Sequence, residues 1–152
     1  MRLRASRVLL YRRSQESLPL DPSISISFPA RADFVRVARL AATGVVSIVD
    51  WTVDDVEDFR LVVSEACAHL LDPARQATSL TLRITLHGRD AEVLATADVG
   101  APSNGEVLET LARQVVSALA DEVSFQRVDG KPAVRFTKRP TQQAPTNADD
   151  QG

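Results

Sequence analysis

"DDVEDFRLVVSEACAHLLDPA", residues 54–74, decides how the rest of the chain is read. At about 100° per residue, Val56, Phe59, Val63, Ala66, Cys67 and Leu70 fall on one continuous stripe, so the stretch is a helix with that stripe against a core. Asp54, Glu57, Arg60 and Ser64 gather on a second side, suited to water. Glu65 and His69 belong to neither; they share a third side with Asp58, flanked by Leu61 and Val62. Thr52 and Asp55 form a T-x-x-D capping box that starts the helix, and Pro73 ends it. An acid at the margin of a mostly apolar helix loses hydration unless something polar meets it. Either Glu65 and His69 are an i, i+4 pair giving each other modest support at the edge of the core, or Glu65 is the wall of a cavity beside the helix.

On the N-terminal side, "SISISF" (23–28) alternates with period two and reads as a strand. "RADFVRVARLAAT" (31–43) spaces Phe34, Val37, Leu40 and Ala41 at helical intervals, with Gly44 as its stop. On the C-terminal side, "SLTLRITLHGRDAEVLATAD" is a hairpin. Leu80, Leu82, Ile84 and Leu86 line one face, "HGRD" makes the turn, and Val93, Ala95 and Ala97 line the returning strand. A third helix spans 106–120, with Leu108, Leu111, Val115, Ala118 and Leu119 on one side. A last hairpin, "VSFQRVDGKPAVRFTK", turns around Asp129-Gly130, and Pro132 marks an edge or irregular position. The order β-α-α-β-β-α-β-β gives a two-layer α/β (α+β) sandwich: a mixed, mainly antiparallel sheet covered on one face by helices.

A chain of 152 residues, 44% hydrophobic and 25% charged, suits one globular domain with a real core. Its net charge of −2 gives no global pull toward nucleic acid or membrane, and no apolar run is long enough to span a bilayer. The single Cys67 excludes an internal disulfide and points to a reducing cytoplasm. Residues 1–20, with five Arg in "MRLRASRVLLYRR", read as a mobile basic arm. Residues 21–139 form the domain, and 140–152 are polar with nothing to bury and read as a disordered tail.

"DFRLVVSEACAH", Asp58 to His69, resembles the N-box helix of the anti-sigma regulatory factors, serine-protein kinases with the GHKL (histidine-kinase-like) ATPase fold. "FPARADFVRVARLAA", "ATADVGAP" and the closing hairpin are similar to further parts of that family, so the resemblance covers about residues 23–139. It implies that fold, with Mg-ATP as cofactor. It also implies Glu65 as the general base that takes a proton from a partner's serine hydroxyl. The family's Mg²⁺-ligating Asn falls at His69, and imidazole nitrogen is a poor ligand for that hard cation. The adenine-binding D-x-G-x-G falls at Asp98 and Gly100 but lacks its second Gly; an Asp and a Gly ending a strand are also ordinary turn chemistry. "APSNG" leaves no room for a long lid or a phosphate-cradling Gly loop.

Phosphoryl transfer is largely positioning and charge neutralisation. Without a metal ligand or a phosphate loop, ATP and Mg²⁺ are doubtful cofactors, and the expectation is weak nucleotide binding with no efficient kinase. The resemblance then implies an anti-sigma factor that sequesters an RNA polymerase sigma factor and releases it to an anti-anti-sigma (STAS) partner. Arg36, in a pattern similar to the family's F-x-R, and Arg39 are its candidate contacts, although a solvated helix face explains them equally. The rival is an active serine kinase using Glu65; a third possibility is a regulator of this fold with another partner. A homodimer with the first strand and helix near its contact is also implied. Cys67, His69 and His87 match no metal-site spacing, and a buried, inert thiol with surface imidazoles is the simpler account.

Overall fold

The computed structural model describes residues 21–100 and 111–142. Strand β1 is Ser23–Pro29. A short 3₁₀ turn leads into helix α1, Val35–Val46, and helix α2 follows as Val53–Leu70. Strands β2 (Ala77–His87) and β3 (Asp90–Val99) precede helix α3 (Leu111–Leu119), and β4 (Glu122–Val128) and β5 (Lys131–Lys138) close the order. The five strands form one sheet ordered β1-β2-β3-β5-β4, and every pairing among them is antiparallel.

Period-two alternation fixes which face is covered. Leu80, Leu82, Ile84 and Leu86 of β2 register with Ala97, Ala95, Val93 and Ala91 of β3, and all are buried under the helices. Phe136 and Val134 of β5 continue that face, and Phe59 and Val63 of α2 press onto it from above. Phe59 packs edge-on against both Trp51 and Phe136, with centroids 5.3 and 6.1 Å away. The opposite sheet face carries polar cross-strand pairs, Ser27–Thr81 at 2.7 Å and Arg135–Glu92 at 2.9 Å, as a solvated face should.

The α2 capping box is present as expected: Thr52 Oγ1 accepts from the Asp55 amide at 3.1 Å, and the Asp55 side chain answers the Thr52 backbone. Asp55 also receives the Thr141 hydroxyl at 2.6 Å and the Thr141 amide at 3.1 Å. Burial works against its charge, but the Thr141 and Thr52 bonds outweigh that and hold its carboxyl below the usual range. Within the described residues the folded chain therefore continues past 139 to include this latch.

Three apolar faces differ from the sequence expectation. On α1 the core side is Ala38, Ala42, Val45 and Val46, while Val37 and Leu40 are 46% and 68% exposed. Small residues let the helix sit close to its neighbours, and the larger ones are left outside. Gly44 does not stop α1, because Val45 and Val46, the two residues after it, still have core to bury. On α3 the buried residue is Val116; Val115 and Leu119 are half-buried, Ala118 and Leu111 are exposed, and Leu108 lies outside the described residues. On α2 the buried arc is wider than the stripe, taking in Val62 and His69, while Val56 is only half-buried. Within the described residues no helix is long and apolar enough to cross a membrane.

Candidate functional site

The C-terminal end of α2 builds a cationic cleft. Asp72 accepts from the Ala74 amide and starts a 3₁₀ turn, Pro73–Arg75, whose exit residue Gln76 is left-handed at φ 50°. The Asp72-capped turn brings Arg75 back onto the helix that the chain has just left. Its Nε donates to the His69 carbonyl at 3.0 Å, which satisfies one of the free carbonyls at a helix end. A terminal nitrogen of Arg75 lies 2.8 Å from His69 Nε2. A guanidinium only donates, so Nε2 is the acceptor and His69 is the neutral tautomer carrying its proton on Nδ1.

His69 is thus buried, at 3% exposure, and not the surface imidazole the sequence suggests. Its ring meets Phe125 of β4 edge-on at 4.9 Å, and the Arg113 guanidinium of α3 covers the same Phe125 at 4.4 Å. Burial first, then the charges of Arg75 and Arg113, push the His69 pKa down to about 4 against a smaller pull from Asp72. His69, Arg75, Arg113, Phe125, Arg127 and Pro132 line a cleft of about 260 Å³. Among the described residues its lining holds no acid.

Glu65 lies one turn before His69 on the same flank of α2 and is half-buried. Asp98 is elsewhere. In β3 it shares a face with Glu92, Leu94 and Thr96, opposite to buried Ala95 and Ala97, so it points away from the helices. There its carboxylate accepts the Ser79 hydroxyl at 2.8 Å and meets the Lys131 ammonium at 2.6 Å. The bond from Lys131, with that from Ser79, holds its pKa below the usual carboxylate range. Gly100 follows in the exposed chain, and a Cβ there would meet nothing within 4 Å.

Of the sequence candidates, the structure therefore brings Glu65 and His69 to one flank and keeps Asp98 with Gly100 apart from them. Position 69 presents a nitrogen already engaged by a guanidinium, where a hard cation needs oxygen. Among the described residues, no three His, Cys, Asp or Glu groups converge to hold a metal. Glu65, His69, Asp98 and Gly100 do not fit a shared Mg-nucleotide pocket.

Arg75, Arg113, Phe125 and Arg127 are site residues that sequence reading missed. Phe125 and Arg127 stand two apart on one strand face, a visible signal; nothing in "DPARQ" foretells that Arg75 turns inward. Arg36 is exposed and Arg39 half-buried on α1, beside the exposed Val37 and Leu40. Cys67 is buried, and burial raises its thiol to about 12, so it is no nucleophile. His87 is an exposed imidazole, with Asp21 at 2.6 Å.

No protein-family model matches the chain. Curated proteins do: the serine-protein kinase RsbW of Halalkalibacterium halodurans is 32% identical over 75 residues, 49% of this chain and 46% of that one. RsbW of Bacillus velezensis is 39% identical over 51 residues, 34% and 32% of the two chains. RsbW of Bacillus mycoides is 29% identical over 89 residues, 57% and 55% of the two. The chain thus spans about half the length of the curated relatives it matches. Among solved structures, the RsbU and RsbW domains of a Mycobacterium tuberculosis protein superpose with a TM-score of 0.62 at 16% identity, covering 81% of this chain and 34% of that one. At that identity the superposition speaks for the fold, which is the histidine-kinase-like one.

Proposed function

In this relative of the RsbW serine-protein kinases, we propose an anti-sigma factor that works by surface recognition, with a nucleotide site too degraded for efficient phosphoryl transfer. The observation that carries this reading is the Arg75–His69 pair at 2.8 Å. It puts a bound guanidinium where the family resemblance calls for an oxygen ligand to Mg²⁺, and like charge repels the metal that would neutralise a triphosphate.

The outer face of α1 supports the recognition half of the proposal. Arg36 and Arg39 stand beside Val37 and Leu40, which are 46% and 68% exposed. Apolar anchors next to planar, bidentate donors suit a protein partner that presents acidic and apolar groups. We assign that face to a sigma factor, with an anti-anti-sigma (STAS) protein competing for it. β1, an edge strand, offers the surface for a homodimer. The test is co-purification from the native host with tagged parent and an Arg36→Glu variant. The parent should capture a sigma factor that the variant loses; absence of any sigma or STAS protein in the parent sample removes the proposal.

One feature favours kinase action, the presence of Glu65 one turn before His69 on the same flank of α2. Calorimetric titration with Mg-ATP separates the two readings: no saturable binding below millimolar would exclude efficient kinase action.

A further inference from the structure

We propose that the cleft between the end of α2, α3 and the β4–β5 hairpin is a metal-independent anion site that takes a small phosphate group. It rests on the reading above, in which this region no longer handles Mg-ATP, and names what it handles instead.

The first support is a buried charge without a hydrogen-bonded counter-ion among the described residues. Arg75 is 8% exposed. Its hydrogen bonds go to the carbonyl and the ring nitrogen of His69, both neutral acceptors. Asp72 is the acid whose charge favours it, while Arg127 and Arg113 act in the opposite sense, and burial outweighs all of them. A buried guanidinium in such surroundings is costly, and an oxyanion in the cleft would relieve it.

The second support is convergence. Arg75 comes from the turn after α2, Arg113 from α3 and Arg127 from β4, three separate elements lining one space. Guanidinium groups are the side chains best shaped for phosphate, since their forks donate two parallel bonds to its oxygens. Arg127 is exposed, with one nitrogen on the Gly130 carbonyl at 2.9 Å, so its position is set by the hairpin turn.

Size and stacking then select the ligand. A cavity of about 260 Å³ falls just short of the roughly 300–1,000 Å³ typical of drug-sized ligands, which suits a phosphate group and not a metal-bound triphosphate. The aromatic face that would hold a nucleobase is already covered by Arg113, 4.4 Å above Phe125. Phosphate itself is therefore what the site recognises, whether free or as a monoester.

The experiment is calorimetry on the full chain in EDTA, with inorganic phosphate and with AMP, alongside ¹⁵N NMR of the Arg75 side chain. Phosphate should saturate with a Kd of about 1 mM or below, shift the Arg75 Nε–H resonance, and bind equally well when Mg²⁺ replaces EDTA. AMP should match phosphate within about threefold, and Arg127→Ala should weaken both about tenfold, roughly the loss of one charge-assisted bond. Arg83→Ala, on the far sheet face, should change nothing. No saturation by ~20 mM phosphate, a requirement for Mg²⁺, or AMP binding far tighter than phosphate would each overturn the proposal. If phosphate and Mg-ATP both fail to bind, the anion site falls alone; tight Mg-ATP binding would instead bring down the degraded-site reading beneath it.

Discussion

Lowering the pH from 7 to 4 should destabilise this protein through one residue. His69 is buried as the neutral imidazole, and its pKa falls from 6.5 to about 4 on folding. A base with a depressed folded pKa leaves the unfolded chain binding more protons between the two values. Its contribution is therefore complete above pH 6.5, shrinks as the pH falls and levels off near 4. At ~1.4 kcal/mol per pKa unit the full loss is roughly 3 kcal/mol, a large share of the ~5–15 kcal/mol that holds a typical domain together. The mechanism is local: a proton on Nε2 would face the Arg75 donor 2.8 Å away, replacing a hydrogen bond with two opposed donors. Urea denaturation at half-unit intervals from pH 7 to 4 measures the slope, and ring-proton NMR of His69 gives the folded pKa directly. His69→Gln keeps an acceptor toward Arg75 without titrating, so it should flatten most of the slope in this window. An unchanged slope in that variant, or a measured pKa near 6.5, would refute the reasoning.

Three further outcomes follow from packing and charge. Thr141→Ala removes a hydroxyl from buried Asp55 and should cost about 1–3 kcal/mol, read as a lower urea midpoint with unchanged slope. That loss should diminish below the depressed Asp55 pKa, where the carboxylate is protonated in both states. Cys67 should resist a thiol reagent at pH 8 in native protein and react at once in denaturant, since its thiol is buried and raised to about 12; prompt native labelling would mean that α2 opens readily. Leu40→Asp on the exposed face of α1 should leave thermal stability within ~0.5 kcal/mol of the parent while abolishing partner capture, measured by melting and pull-down.

The sheet and α2 were legible because their signals are periodic and local. Leu80 to Leu86 alternate without interruption, Thr52 and Asp55 declare a helix start, and Asp129-Gly130 takes positive φ at both turn positions, 51° and 78°. The side of α1 was not, because size misled: Val37 and Leu40 are the larger groups, yet close helix packing selects Ala38 and Ala42. The site divides in the same way. Glu65 and His69 follow from one helix wheel, whereas Asp98 depends on strand parity, and parity sends it to the far face with Lys131. Arg75 was out of reach, since the 3₁₀ turn at Pro73–Arg75, after the helix has ended, sets where that side chain lands.

The Thr141–Asp55 contact joins positions 86 residues apart, and the chain between them holds four of the five strands and, among the described residues, most of α2 and all of α3. Loop-closure entropy disfavours so distant a pairing until the intervening chain has already condensed. The Thr141 amide is consequently a clasp expected to fasten after the intervening chain has folded. Its hydrogen-exchange rate is a one-residue gauge of whether a given preparation, variant or complex holds the domain shut.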